Sequence, residues 1–216
     1  MLFRSTVIVG YGLTPSTEFF RLLDLEMTFS DALGVFIPKR NKFFQTSDPS
    51  IYAIGDCAGI GGASLAMLEG EIAASHIAHQ SGYVDTNHFE SFLQQINKHL
   101  NREQKLARML ENVFALQAGL FSMAEEDTII CRCEQISLAQ VKETVSFGAQ
   151  SVTDIKNITR SGMGNCQGRT CGSLLTQIMS QESHRSPSCG HDLQVRPPVH
   201  PILINTDGVN PNEVLS

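Results

Sequence analysis

The sequence predicts an α/β segment, then a long helical connector, and then a small all-α domain near the carboxyl end. Three patterns support this order. A β-branched run at residues 6–9 enters a glycine-containing turn, and a second apolar run at residues 51–54 ends in Gly55 and Asp56 before a helical pattern. Apolar residues then recur at helical spacing from Phe89 onward. In the last of the three patterns, near the carboxyl end, residues that favour helix starts alternate with short turns that contain cysteine.

Size and composition permit a packed core and disfavour several functions. The chain has 216 residues, of which 42% are hydrophobic, which suffices for one sizeable domain or two small ones. A formal charge of −6 and the lack of a basic patch interleaved with aromatics argue against a nucleic-acid surface. No apolar run reaches membrane-spanning length. Because paired cysteines occur without a secretory signal pattern at the start, we expect a cytoplasmic protein.

The chain divides into four parts. The α/β segment covers residues 1–82, the helical connector 83–127, the cysteine-containing domain 128–181 and a proline-rich tail 182–216. The tail composition favours extended polyproline II structure along a surface. Cys189 lies within it, outside the pattern of the other cysteines, and we expect a free thiol.

The first glycine turn is a weak nucleotide fingerprint. Gly10 and Gly12 follow the apolar run, but Pro15 stands where close packing of helix and strand would require a third glycine. We therefore reject a dinucleotide-binding turn here. Residues 18–25 then predict a short helix.

Two aromatic stretches follow, at residues 36–38 and 43–44. They predict strand edges around the basic turn at residues 39–42, which we interpret as a solvated hairpin tip.

The second apolar run ends at a candidate cofactor contact. A carboxylate at Asp56, directly after a strand, can accept hydrogen bonds from the hydroxyls of a sugar or ribityl chain. The glycine-rich stretch after it leads into a helix whose first N–H groups, near Gly62 and Ala63, offer a positive dipole end. The alternative is that Asp56 caps the next helix.

The connector predicts one helix from Asp85 to about Phe121 with a single broad buried face. That face would comprise Phe89, Phe92, Leu93, Ile96, Leu100, Leu106, Met109, Leu110, Val113, Phe114 and Leu120. We assign this stripe to the core. His76 and His79 are interpreted as surface histidines, as are His88 and His99.

The chemistry concentrates in two cysteine pairs, Cys131 with Cys133 and Cys166 with Cys171. Two close pairs brought together by a fold give four thiolates, which is the ligand set of a [2Fe–2S] cluster. A tetrahedral zinc site could use the same four sulfurs. Glycines around the second pair favour the cluster, because they let backbone N–H groups point at sulfur.

Helix signals surround the cysteines. Ser137 begins a capping box, Ser151 begins a second helix that we expect to end near Gly162, and a third helix follows Cys171. Three arginines lie near the cysteines in sequence, namely Arg132, Arg160 and Arg169. They could offset the negative charge of a cluster or dock a partner's carboxylates, or they could be ordinary solvated arginines.

Two resemblances add to these inferences. Residues 131–179 resemble the [2Fe–2S]-binding domain of bacterioferritin-associated ferredoxin, on the Cys-Arg-Cys-Glu start and the Cys-Gln-Gly-Arg-Thr-Cys-Gly stretch from Cys166. Residues 46–74 resemble the carboxy-terminal FAD motif of two-dinucleotide-domain flavoproteins, in which the position of Asp56 contacts the ribityl chain. Residues 9–15 resemble the end of their NAD(P)-type domain. The fold class implied is an α/β fragment of a Rossmann-like flavoprotein followed by a small all-α [2Fe–2S] domain.

That flavoprotein family cradles the FAD pyrophosphate with an amino-terminal strand and glycine turn that this sequence does not show. We therefore expect only half an FAD site, comprising Gly55, Asp56, Gly62 and Ala63, with the missing dinucleotide-binding half supplied elsewhere.

The order of the parts resembles the carboxy-terminal portion of the large flavoprotein subunit of opine oxidases, hydrogen cyanide synthase and dye-linked proline dehydrogenases. This resemblance implies an oxidoreductase subunit that passes electrons through a cluster and flavin. It implies that a partner FAD subunit oxidises an amine, amino acid or opine at its C–N bond, so we assign no catalytic residue here. The alternatives are a non-catalytic [2Fe–2S] or zinc-binding interaction module, or a truncated inactive copy.

Overall fold

The computed structural model describes residues 10, 12–115, 117–184, 186, 193–199 and 202. The predicted run at residues 6–9 and Cys189 lie outside these residues. In chain order the elements are α1 (Glu18–Leu22), β1 (Met27–Ser30), β2 (Val35–Pro38), α2 (Ala63–Gln80), α3 (Thr86–Phe114), α4 (Ala118–Ser122), β3 (Ile129–Cys131), β4 (Ile136–Ser137), α5 (Leu138–Ser146), α6 (Val152–Thr159) and α7 (Gly172–Ser183), with a 3-10 turn at Gly55–Ala58 before α2. Within the described part of the chain, no helix is long and apolar enough to cross a lipid bilayer.

The predicted hairpin around residues 39–42 is wrong. The strand β2 instead pairs with β1, which precedes it, and Phe29 faces Phe36 with ring centroids 5.2 Å apart. The intervening turn is closed by Gly34 at φ 66°, where glycine meets little steric penalty. The Asn41 side chain accepts hydrogen bonds from the backbone N–H groups of Phe43 and Gln45, which folds this stretch into a local turn.

Residues 51–54 form little sheet. Ile54 is extended, but the segment makes a single bridge, between Tyr52 and Gln45. A strand needs a hydrogen-bonded neighbour on each side to become part of a sheet interior. Among the described residues the two sheets have two strands each, and neither includes this segment.

Helices α2 and α3 pack against each other around a core that includes Leu65, Ile72, Ile96 and Leu100. The stretch predicted as one helix to Phe121 ends at Phe114, and α4 follows separately. The prediction of one continuous buried face is also wrong for the second half of α3. The exposed apolar side chains there are Leu106, Met109, Leu110, Val113 and Phe114.

The difference in helix length explains this exposure. At 1.5 Å per residue, the 29-residue α3 is about 43 Å long and the 18-residue α2 about 27 Å. The shorter helix therefore cannot cover the whole apolar stripe of the longer one.

His76 is not a surface residue, contrary to the sequence prediction. Its side chain is 7% exposed, hydrogen-bonds to the Tyr52 hydroxyl at 2.8 Å and stacks on the Phe43 ring with centroids 4.2 Å apart. His79 lies beside it and stacks on Phe89. Both histidines thus serve the packing between α2, α3 and the preceding loop.

The cysteine-containing domain has its own core. Val141 of α5, Ile155 of α6 and Leu175 of α7 are fully buried against one another. Capping boxes at Ser137 and Ser151 start α5 and α6. The predicted helical domain is confirmed, with the short β3–β4 hairpin added. The second helix ends at Thr159, earlier than expected, because Arg160 adopts a left-handed conformation at φ 66°.

Candidate functional site

The four cysteines occupy two turns that face each other. Cys131 ends β3 and Cys133 follows in the turn toward β4. Cys166 lies in the loop of residues 162–171, here called the cluster loop, and Cys171 is the N-cap of α7. Cys131 and Cys171 are each 1% exposed, Cys166 is half-buried and Cys133 is exposed. The set thus extends from the core of the domain to its surface.

The environment of each thiol shows that the turns meet. Burial raises the pKa of Cys171 to about 12, and interactions with Cys131 and Cys166 also act to raise it. Burial also acts on Cys166, but hydrogen bonds from the Thr170 backbone and with Cys133 outweigh it and lower its pKa. Hydrogen bonds thus join Cys171 to Cys131 and Cys166 to Cys133, and an electrostatic interaction acts between Cys166 and Cys171.

Gly164 lets the two turns approach. A Cβ at this position would lie 2.2 Å from the Cβ of Cys133 and 3.2 Å from its sulfur. Any larger residue would push the cluster loop away from the turn that carries Cys131 and Cys133. The glycine is required by this contact, since its backbone does not adopt a positive φ.

Backbone hydrogen bonds fix the cluster loop around Cys166. The Cys166 carbonyl accepts from the Arg169 N–H at 3.1 Å, and the Gly168 carbonyl accepts from the Gly172 N–H at 2.7 Å. Gln167 and Gly168 both adopt positive φ values, 52° and 80°, which turn the chain tightly after Cys166. Successive N–H groups in such a turn can point toward an anionic sulfur.

The donor set fits a [2Fe–2S] cluster, which takes two cysteine sulfurs on each iron. The described cysteines are free thiols, and in the described residues no group of three or more His, Cys, Asp or Glu side chains converges closely enough to hold a metal ion. The fit rests on the two hydrogen-bonded thiol pairs, each of which joins one turn to the other, and on Gly164 at the contact between the turns. A cluster bound there would be held by Cys131, Cys133, Cys166 and Cys171.

Two of the three nearby arginines form ion pairs within the chain. The Arg160 Nε lies 3.2 Å from a Glu134 carboxylate oxygen, and the Arg169 Nε lies 3.1 Å from a carboxylate oxygen of Glu18. Arg132 is exposed. Arg169 is thus tied to the flavoprotein-like segment, which sequence reasoning did not foresee.

The expected flavin contacts lie in two places, Gly55 and Asp56 in the 3-10 turn and Gly62 and Ala63 at the start of α2. Asp56 is exposed in the 3-10 turn, and its carboxylate accepts long hydrogen bonds, both 3.4 Å, from the N–H groups of Gly61 and Gly62. Gly62 is the N-cap of α2 and receives no side-chain cap, so the carboxylate ties down the loop before the helix and does not cap the helix itself. Ala63 begins α2 and is exposed, and the first N–H groups of a helix have no acceptor within the helix itself.

A buried ion pair missed from the sequence holds this turn in place. Glu69 accepts two hydrogen bonds from the Arg40 guanidinium, at 2.9 and 3.0 Å, and one from the Gly55 N–H at 2.8 Å. The Glu69 side chain is 3% exposed and that of Arg40 22%. The prediction of a fully solvated basic turn is therefore wrong for Arg40. One sequence signal could have indicated this ion pair: Glu69 lies on the apolar face of α2, between Leu65 and Ile72, where a carboxylate needs a partner.

Comparisons with known proteins match both parts of the chain. Residues 129–181 match the family described as BFD-like [2Fe-2S] binding domain, and residues 4–82 match the family described as pyridine nucleotide-disulphide oxidoreductase. Together they support the two-part fold class and both cofactors, the [2Fe–2S] cluster and FAD.

Relatives with both parts are similar over nearly the whole chain. An opine oxidase subunit of Rhizobium meliloti is 29% identical over 93% of this chain and 38% of its own length. The hydrogen cyanide synthase subunit HcnB of Pseudomonas aeruginosa is 34% identical over 92% of this chain and 42% of its own length. The chain therefore spans well under half the length of these relatives.

A solved structure shares the fold. The crystal structure of L-proline dehydrogenase from P. horikoshii superimposes with a TM-score of 0.69 over 89% of this chain and 37% of that one, at 23% identity. The chain thus consists of part of a dinucleotide-binding flavoprotein domain followed by a BFD-like [2Fe–2S] domain, and it is related to oxidoreductase subunits of the opine oxidase and hydrogen cyanide synthase type.

Proposed function

We propose that this chain is the electron-transfer part of an oxidoreductase that oxidises amines, amino acids or opines at a C–N bond. The observation that carries the proposal is the pairing of thiols from two turns of one domain, Cys131 with Cys171 and Cys133 with Cys166, next to a flavoprotein fragment. The relatives' names include an opine oxidase, which supports the substrate class.

The cluster, when bound, supplies one-electron transfer. The chain's own residues position and tune it. Cys131 and Cys171 lie in the domain core, whereas Cys133 lies at the surface, the side from which electrons can enter or leave. Gly164 sets the approach of the two turns, and the Thr170 backbone stabilises the Cys166 thiolate.

We further propose that Gly55, Asp56, Gly62 and Ala63 contact FAD as one half of its site. The exposed Asp56 carboxylate and the exposed start of α2, which has no side-chain cap, support this. The half that cradles the pyrophosphate would come from residues outside this chain. Titration of FAD into the purified chain should therefore show no tight saturable binding, and submicromolar binding would contradict the half-site.

Substrate oxidation is assigned to a partner FAD subunit. Within the folded segment, His76 and His79 of α2 are engaged in ring stacking and in hydrogen bonds with the Tyr52 hydroxyl and the Val84 carbonyl. We also place the protein in the cytoplasm, because the described cysteines are free thiols and an oxidising compartment would favour disulfides. Recovery of the native protein from a secreted or periplasmic fraction would contradict that location.

The test is anaerobic purification followed by analysis of iron, zinc and acid-labile sulfide, with EPR after dithionite reduction. We expect about two irons and two sulfides per chain, and a rhombic signal that is lost in Cys166→Ser. Cys57→Ser is the matched control, since Cys57 is also a half-buried free thiol but lies in the 3-10 turn of the flavoprotein segment. An equal loss of iron in both variants would contradict the ligand assignment.

A zinc-binding interaction module is the second candidate, because the same four thiols fit a tetrahedral zinc site. One zinc per chain without sulfide would establish it and remove the redox proposal.

A further inference from the structure

A short segment of the tail, residues 193–199, lies across the cluster loop. Leu193 is only 6% exposed and belongs to the core of the cysteine-containing domain. Val199 at its other end is also buried. This segment is called the clasp below.

Leu193 fills a slot made by two glycines of the cluster loop. A Cβ on Gly168 would lie 2.2 Å from the Leu193 Cδ2, and a Cβ on Gly162 would lie 2.9 Å from the same atom. Both glycines have positive φ values, 80° and 82°. The slot exists because neither residue carries a side chain, and the leucine closes it.

Polar contacts hold the backbone of the clasp. The Leu193 carbonyl accepts a hydrogen bond from Arg21 at 3.0 Å, and the Gln194 carbonyl accepts one from Lys156 at 3.4 Å. Arg21 belongs to α1 of the flavoprotein segment and Lys156 to α6 of the cysteine-containing domain. The clasp is therefore attached to both parts of the protein.

Arg169 joins all three parts at one side chain. It forms an ion pair with Glu18 of α1, donates to the Cys166 carbonyl at 3.2 Å and donates to the Val199 carbonyl. A cavity of about 150 Å³ remains where the parts meet. Polar contacts from Arg21, Lys156 and Arg169 thus bridge the parts around this cavity.

We propose that Leu193 and Arg169 are positioning residues for the cluster, through a clasp that closes the cluster loop and holds it against the flavoprotein segment. This rests on the four-cysteine assignment proposed above. The clasp excludes water from the back of the loop and fixes the direction of the Cys166 backbone. Its loss opens the loop without removing any sulfur ligand.

The experiment compares Leu193→Ala with Ile202→Ala in the full chain, both loaded with cluster. Ile202 is an apolar residue of the same tail but is 68% exposed. We expect iron release to a chelator to be about tenfold faster in Leu193→Ala, since a buried leucine side chain is lost from the slot. We also expect a more positive midpoint potential, because water stabilises the more negative reduced cluster. Leu193→Met, which keeps the volume, should restore both values.

Arg169 is tested in the same way with Arg169→Lys against Arg132→Lys, an exposed arginine next to Cys131. A lysine keeps the charge but cannot contact Glu18 and both carbonyls with one planar group. We expect a shift of the EPR g-values or of the potential in Arg169→Lys and neither in Arg132→Lys.

Hydrogen exchange of the cluster-free chain gives a measurement that does not depend on loading. Peptides from residues 162–171 should exchange faster in Leu193→Ala than in Ile202→Ala, while α2 is unchanged. If Leu193→Ala unfolds the domain, Leu193→Val replaces it. Equal exchange, release and potential in the leucine variant and its control would overturn the clasp. If the wild-type chain binds no iron but Leu193→Ala still exchanges faster than Ile202→Ala, the proposed function is overturned and the clasp is supported.

Discussion

The cysteine-containing domain and the flavoprotein segment differ in how far each completes its own structure. The first has three capped or tightly turned helices around fully buried Val141, Ile155 and Leu175, and it carries every proposed ligand of its cofactor. The second has a two-stranded sheet, an extended segment with one bridge, and only a proposed half of a cofactor site, in which Asp56, Gly62 and Ala63 are exposed. A cofactor bound through side chains of one compact unit can be specified locally, whereas a dinucleotide site depends on distant elements.

The largest effect on the cysteine-containing domain is expected at Gly164. Gly164→Ala places a Cβ 2.2 Å from that of Cys133, so we expect cluster content to fall to near zero and the domain to lose about 1–3 kcal/mol of stability. Gly172→Ala is the control, because a Cβ there meets nothing within 4 Å. Iron per chain and urea unfolding measure both effects. Similar losses in the two variants would argue against a special contact at Gly164.

The flavoprotein segment should be equally sensitive at its buried ion pair. Glu69→Ala leaves the half-buried Arg40 guanidinium without its carboxylate, and we expect a loss of about 3 kcal/mol in the unfolding of this segment. Glu26→Ala removes the exposed pair with Lys39, whose side chains are 68% and 63% exposed, and should cost at most about 0.5 kcal/mol. Denaturation followed by far-UV circular dichroism gives the values. A loss of iron in Glu69→Ala would show that the two parts are more strongly coupled than the comparison states.

Removal of the helix caps tests whether local sequence signals stabilise the cysteine-containing domain. Ser137→Ala and Ser151→Ala each remove one side of a capping box and should destabilise the domain by about 1 kcal/mol. Ser146→Ala, at the end of α5, removes only an exposed bond to the Glu143 carbonyl and should have a smaller effect. Thermal unfolding of the domain is the measurement, and equal shifts in all three variants would contradict the capping role.

The smallest expected effect is a pH dependence confined to the flavoprotein segment. Burial lowers the pKa of His76, with smaller contributions from His79 and Lys42. Since the unfolded histidine protonates first, the stability of the segment should be full above the ordinary pKa of 6.5 and decline as the pH falls below it. His76→Gln should flatten this decline, whereas His99→Gln, at an exposed position, should leave it in place. Unfolding free energies measured between about pH 5 and pH 8 test the sign.

Local signals were sufficient for much of the cysteine-containing domain. The two capping boxes, the helix after Cys171 and the cysteine spacing each operate over a few residues, so they can be read without knowledge of the rest of the fold. The fold class and both cofactors followed from these signals together with the family resemblance, and the comparisons confirm them.

Predictions failed where the environment of a residue depends on which other segment of the chain it meets. Strand structure at residues 36–38 is predicted correctly, but its pairing partner is not, since the sequence analysis predicts no strand at Met27–Ser30. His76 was placed at the surface because its neighbours Phe43 and Tyr52 come from a different loop. The exposure of the second half of α3 could not be predicted from its own apolar pattern. It depends on how much of α3 the shorter helix α2 covers.

The sequence by itself determined which residues are candidates to hold a cluster, where the helices of that domain begin, and which FAD motif the chain carries. Tertiary structure alone decided that Glu69 neutralises Arg40 beneath the turn that carries Asp56 and that Arg169 ties the cluster loop to Glu18. It also placed Leu193 in the slot between Gly162 and Gly168. The physical reason is that capping, periodicity and ligand spacing act within one or two turns of chain. Ion pairs and close packing depend on which distant surfaces meet.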